Sequence, residues 1–195
     1  MKIIILLAFF TGVFSCTHST KEKEKQLSES IIEPVKFFPV NAYFKGQLAE
    51  INNRGLTPLK YTLVNKHTDS VWLNQEELKT ACKEFLHPDI DSSSLIPFFS
   101  EKKFLDQTID AFTYTYDPIG ALPDSINIKH WDVYIDPVTG KVRRVYMVKT
   151  KGPNQILQLT WLGDKWCKLT TITDLPNGET RIDKEEKITW DFDPL

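Results

Sequence analysis

IKHWDVYIDPVTGKVRRVYMVKTKGPNQILQLTWLGDKWCKLTTI, residues 128–172, sets the architecture of the chain. Trp131, Val133 and Ile135 alternate with Asp132 and Tyr134. Period two belongs to a strand with one buried face. Asp136-Pro137-Val138-Thr139-Gly140 then reads as a type I turn closed by a glycine bulge, and Gly163-Asp164 reads as a two-residue hairpin loop. Links this short join antiparallel neighbours, because a parallel pair needs a crossover of about a dozen residues or more. On either side, Phe112, Tyr114 and Tyr116 alternate with Thr113 and Thr115, and Ile188, Trp190 and Phe192 alternate with Thr189 and Asp191. Pro176-Asn177-Gly178 supplies one further turn.

Upstream the period changes. Val40, Tyr43, Phe44, Leu48 and Ile51 recur at three and four after Pro39, predicting a helix that stops at Asn52, Asn53 and Gly55. Leu59, Tyr61 and Leu63 predict a strand, followed by a break over His67 to Ser70 and a short Val71-Trp72-Leu73 segment. Asn74 and Glu77 have the spacing of a capping box, and Leu78, Ala81, Cys82 and Phe85 give the helix behind it one apolar face as far as Pro88. Asp89 to Phe99, with Ser92, Ser93, Ser94 and Pro97, reads as loop. The expected fold is therefore α+β, with two N-terminal helices packed on a mainly antiparallel meander of about five to seven strands. Residues 37–195 form one domain in this reading. Residues 16–36, which include the alternating charges of THSTKEKEKQLSES, lack the apolar surface that would offset ordering and read as a flexible charged tether.

Residues 1–15 have one Lys and an apolar run from Ile3 to Phe14, the pattern of a secretory signal. A membrane-spanning helix needs about 20 apolar residues, and this run is shorter. With Cys directly after Ser15, Val13-Phe14-Ser15-Cys16 resembles the lipobox of bacterial lipoproteins, with Val13 and Phe14 where that family prefers Leu and a small residue. The resemblance implies that Cys16 becomes the lipidated N-terminus and that the protein is held in the cell envelope, facing the periplasm or the surface. A formal charge of −2 gives no basic footprint for nucleic acid.

Little in the chain points to catalysis. Cys82 and Cys167 remain after Cys16, an even pair in an oxidising compartment. A disulfide between them would close a loop of about 85 residues, worth about 4 kcal/mol in the chain-entropy model; the other reading is two separately buried thiols. Neither has an adjacent His or a Cys-x-x-Cys partner that would make it a nucleophile. His18, His67, His87 and His130 are scattered without zinc-ligand spacing and read as solvated. Asp132, Asp136, Asp191 and Asp193 are explained as the solvent side of half-buried strands, Asp136 also as a turn starter, although paired carboxylates can hold a hard cation or cleave a sugar. No glycine loop cradles phosphate and no nucleophile elbow surrounds the serines. No metal or other cofactor is expected.

Aromatic residues are the one excess: Trp72, Trp131, Trp161, Trp166 and Trp190 all fall on predicted strands, as core or as the lining of a concave site for an apolar or saccharide ligand. With Gly163-Asp164 as a two-residue loop, Trp161 and Trp166 share one face of the hairpin with Leu157 and Leu159, while Ile156, Leu162, Cys167 and Leu169 take the other. A ribbon apolar on both sides needs cover on both, so Trp161, Trp166, Leu157 and Leu159 are candidates for a ligand or partner surface. The expected function is a non-enzymatic, membrane-tethered module that binds an envelope protein or an apolar ligand. The alternative is a secreted hydrolase using the sheet-face carboxylates. The hairpin from Val133 to Met147 also resembles that of small propeptide-type inhibitory repeats of secreted bacterial proteins, a resemblance from which no function is carried over.

Overall fold

Alternation becomes nine strands in the computed structural model, which describes residues 37–192. The signal segment, the lipobox-like Val13-Phe14-Ser15-Cys16, His18, the tether and Asp193 lie outside the described residues. The strands are β1 (Leu59–Val64), β2 (His67–Trp72), β3 (Phe99–Asp106), β4 (Ala111–Pro118), β5 (Ile128–Ile135), β6 (Val142–Gly152), β7 (Gln155–Leu162), β8 (Trp166–Asp174) and β9 (Thr180–Thr189). They form one antiparallel sheet in the order β2-β1-β9-β8-β7-β6-β5-β4-β3. From β3 to β9 the chain is a plain meander, and the β1–β2 hairpin adds to the sheet beside β9. The fold is mainly β, with short helices α1 (Val40–Asn53), α2 (Gln75–Ala81) and α3 (Lys83–Leu86).

The strand count exceeds the expected five to seven because two strands, β2 and β3, carry no apolar alternation. Every residue of β2 is exposed, so nothing in its sequence marks an inward face. Its link to β1 is Asn65-Lys66, both at positive φ (48° and 66°), a primed turn made without glycine. Strand β3 continues where Glu101, Lys102 and Lys103 gave no strand signal.

Of the helices, α1 ends as its residues dictate, with Gly55 in the left-handed region at φ 63°. Its start has no side-chain cap of its own. Instead the Asp91 carboxylate, fifty residues on, accepts the N–H groups of Asn41 (3.1 Å) and Ala42 (2.8 Å). The capping box at α2 is present: the Asn74 side chain accepts from Glu77 N–H at 3.0 Å, and Glu77 accepts from Asn74 N–H at 2.8 Å. The expected single second helix is broken at Cys82, which leaves helical geometry at φ −91°, ψ 4° and separates α2 from α3.

One sheet face holds the core. Trp161 is fully buried and its ring meets those of Phe44 from α1, Phe85 from α3 and Trp190, each at 5.2 Å. A second aromatic group forms where Tyr116 stacks on Trp131 at 4.6 Å, with Phe37 and Phe99 against them.

The β7–β8 link corrects the expected hairpin. It has three residues, Gly163 to Lys165, with Gly163 at φ 35° and the Lys165 N–H on the Leu162 carbonyl at 3.0 Å. One added residue shifts the register by one and inverts the facing of β8. Trp161 is therefore opposite Cys167, and Leu162 opposite Trp166. Trp161 and Leu159 are fully buried in the core, and Leu157 is buried at its edge, where it lines a cleft. Trp166 lies on the outer face beside Lys187, whose ammonium sits 5.1 Å from its ring centre.

Candidate functional site

Three rows of residues cross β6, β7, β8 and β9 on the core face. The register gives Val145/Trp161/Cys167/Ile188, then Met147/Leu159/Leu169/Glu186, then Lys149/Leu157/Thr171/Lys184. The same face thus passes from wholly apolar to largely polar within about four residues of strand. At the polar end Thr80, Ala81, Lys83 and Glu84 from the α2–α3 region form one wall, and a cleft of about 500 Å³ opens over the sheet.

Lys149 is the anchor of this cleft. Its side chain, 1% exposed, donates to the backbone carbonyls of Glu84 and His87, and the Glu84 carboxylate lies 3.4 Å away. The last carbonyls of a helix carry partial negative charge and lack intrahelical partners, so a cation suits them. Burial pushes the Lys149 ammonium below its ordinary pKa, and Glu84 opposes that shift. Glu186 is held by Lys184 at 3.0 Å and Lys60 at 3.8 Å. Lys151 reaches the Thr171 hydroxyl at 3.4 Å. With both glutamates matched, Lys83 and Lys151 leave the lining cationic.

A smaller groove of about 280 Å³ lies between α1 and α2. Its floor is apolar, with Leu48, Ile51, Leu56, Leu78 and Leu86, and Lys45, Asn52, Gln75, Glu76 and Lys79 also line it.

On the outer face, β4, β5 and β6 assemble a polar cluster. His130 places Nδ1 2.8 Å from Asp117 and Nε2 2.9 Å from Asp132. Asp132 also accepts from the Thr115 hydroxyl (2.6 Å) and the Tyr134 hydroxyl (3.2 Å). The hydrogen bond to Asp132 raises the His130 pKa; burial opposes this and Asp117 adds to it. Burial pushes the Asp132 carboxyl up, but its bonds to His130 and Thr115 outweigh that and leave it lowered. Asp117 is lowered chiefly by its bond to His130. Asp117 and Asp132 flank both ring nitrogens, and the protonated ring donates to each. His130 is thus a bonded and partly buried group, contrary to the expected solvated histidine.

The other expected residues fall as follows. Asp136 caps its own turn through the N–H groups of Thr139 (2.7 Å) and Val138 (2.9 Å) and binds Arg143, which hold its carboxyl well below the usual range. Four inter-strand steps of about 4.8 Å each separate β5, which carries Asp132, from β9, after which Asp191 follows. The two carboxylates are not brought together as a sugar-cleaving pair, which needs about 5–9.5 Å. Cys82 and Cys167 are both buried, with their sulfurs 3.8 Å apart. Among the described residues no group of three or more His, Cys, Asp or Glu is disposed to hold a metal ion.

Sequence reasoning passed over Lys149, Lys151 and Lys83. The signal for Lys149 was present: it continues the alternation Val145, Met147, 149, and so occupies an inward position. No protein-family model, curated protein or solved structure matches this chain.

Proposed function

We propose that this protein is a non-catalytic binding module, tethered to the cell envelope through a lipid on Cys16, whose cleft takes a small anion bearing carboxylate or phosphate groups. The observation that carries this reading is the cleft itself: about 500 Å³, with Lys83, Lys149, Lys151 and Lys184 against Glu84 and Glu186. A ligand site is concave, with a few convergent polar groups over an apolar floor, here Leu157 and Leu169. In this reading the helical segments pack over one sheet face and form the wall of the site. The polar lining favours an anion over the apolar ligand expected from the aromatic content. The separated carboxylates support a binding role over hydrolysis. Membrane association comes from the lipid, and nucleic acid has no part in this reading.

Titration of the purified full chain with citrate and inorganic phosphate tests the site. Charge reversal at Lys83→Glu with Lys151→Glu removes two charge-assisted hydrogen bonds, each worth about 1.5–3 kcal/mol, so affinity should drop at least about a hundredfold. Absence of binding by wild type, or equal binding by the variant, would reject the anion reading. The tether is tested separately: wild type should take up a fatty-acid probe and sediment with membranes, whereas Cys16→Ser should do neither.

A further inference from the structure

Cys82 stands at the break between α2 and α3, and Cys167 stands in the apolar row Val145/Trp161/Cys167/Ile188 of the sheet. Their sulfurs are 3.8 Å apart and both residues are fully buried. We propose that Cys82 and Cys167 join in an intrachain disulfide when the folding chain meets a disulfide oxidant, fastening the wall of the cleft to the sheet.

The sulfurs are in contact, and a bond of about 2.05 Å needs side-chain rotation and backbone adjustment that bring them about 1.8 Å nearer. The placement of Cys82 favours such adjustment, because it sits at an interruption of the helical ladder and not within one. Its chain neighbours Ala81 and Lys83 line the cleft, as does Glu84. The bridge would hold them against β8. It would close a span of 85 residues, between elements that no short link connects.

The chemistry balances as thiol–disulfide exchange. One thiol loses its proton and attacks a sulfur of the oxidant's disulfide, releasing one oxidant thiol. The second protein thiolate then displaces the other half, so the protein loses two protons and two electrons and the oxidant is reduced to two thiols. Burial pushes the Cys167 thiol up, and the neighbouring Cys82 adds to that. Exchange therefore occurs before the core closes, and the finished bond is shielded from reductant in the folded protein. The proposal rests on the envelope reading only for the source of the oxidant.

Reduced, denatured full chain refolded in a mixture of reduced and oxidised glutathione provides the test, read by peptide mapping after alkylation in denaturant. The expected product is a linked pair of peptides containing Cys82 and Cys167, with Cys16 mapped apart. The bond should resist reductant under native conditions and yield to it in denaturant, and the bridged form should unfold at higher denaturant than the reduced form. Free Cys82 and Cys167, glutathione adducts on either, or links between chains would overturn the proposal. The result is independent of fatty-acid labelling, so failure of the tether reading and failure of the bridge are told apart.

Discussion

Trp161→Ala is expected to cost the fold about 3–5 kcal/mol, the penalty for truncating a fully buried aromatic and leaving a cavity. Three rings lose their partner at once, Phe44, Phe85 and Trp190, each 5.2 Å from Trp161, and the indole N–H bond to the Gly163 carbonyl at 3.0 Å is lost with them. At about 2–4 °C per kcal/mol for a chain of this size, the thermal midpoint should fall by roughly 6–20 °C. Trp166→Ala should behave differently. Its ring lies on the outer face over Lys187, a contact worth about 0.5–1 kcal/mol, so the midpoint should move by only a few degrees. Calorimetry on both variants checks the register of the β7–β8 hairpin as well as the core. Equal losses at the two positions would contradict the three-residue link and the facing it imposes.

Lys149→Ala should also weaken the fold, for a different reason. The side chain satisfies the carbonyls of Glu84 and His87 and faces the Glu84 carboxylate. Its removal strands those acceptors in a poorly hydrated site and opens a void. The Glu84 side chain is 37% exposed and its carboxylate rehydrates, so the cost is that of the stranded carbonyls, about 1–3 kcal/mol, with the lost packing of the stem added. Lys149→Met separates the two contributions, since it restores most of the volume and none of the hydrogen bonds. It should recover part of the loss and remain below wild type by about 1–3 kcal/mol, the penalty of unsatisfied buried acceptors. Denaturant unfolding of the three proteins measures this. Full recovery by Met would mean that Lys149 acts through packing alone.

These two positions also show what could be read in advance. The capping box at Asn74 and Glu77, the Asp136–Gly140 turn and the stop of α1 at Asn53 are local chemistry, settled within a few residues, and were legible. Strand β2 was not, because a strand exposed along its whole length has no alternation to detect. The cap of α1 was not, because Asp91 reaches it from fifty residues away. The β7–β8 hairpin failed on a single residue: Gly163-Asp164 suits a two-residue loop, and the added Lys165 moves Trp166 to the opposite face. The site was legible only in fragments. His130, Asp132 and Tyr134 share a face by alternation alone, but Asp117 joins them through the pairing of β4 with β5. Lys149 was marked inward by its spacing, yet its partners on α3 and the C-terminal side of that helix depend on the tertiary fold.

The central claim is that the lysine-lined cleft over β6–β9 is where this protein meets its ligand. Amide chemical-shift mapping of the labelled protein during citrate addition tests it most directly, because it locates binding as well as detecting it. The account predicts saturable shifts at Lys83, Glu84, Lys149 to Lys151, Thr171 and Lys184, with little change at Trp166 or around the α1–α2 groove. Saturable shifts confined to the outer face or to the α1–α2 groove, or no saturable shift anywhere, would contradict it.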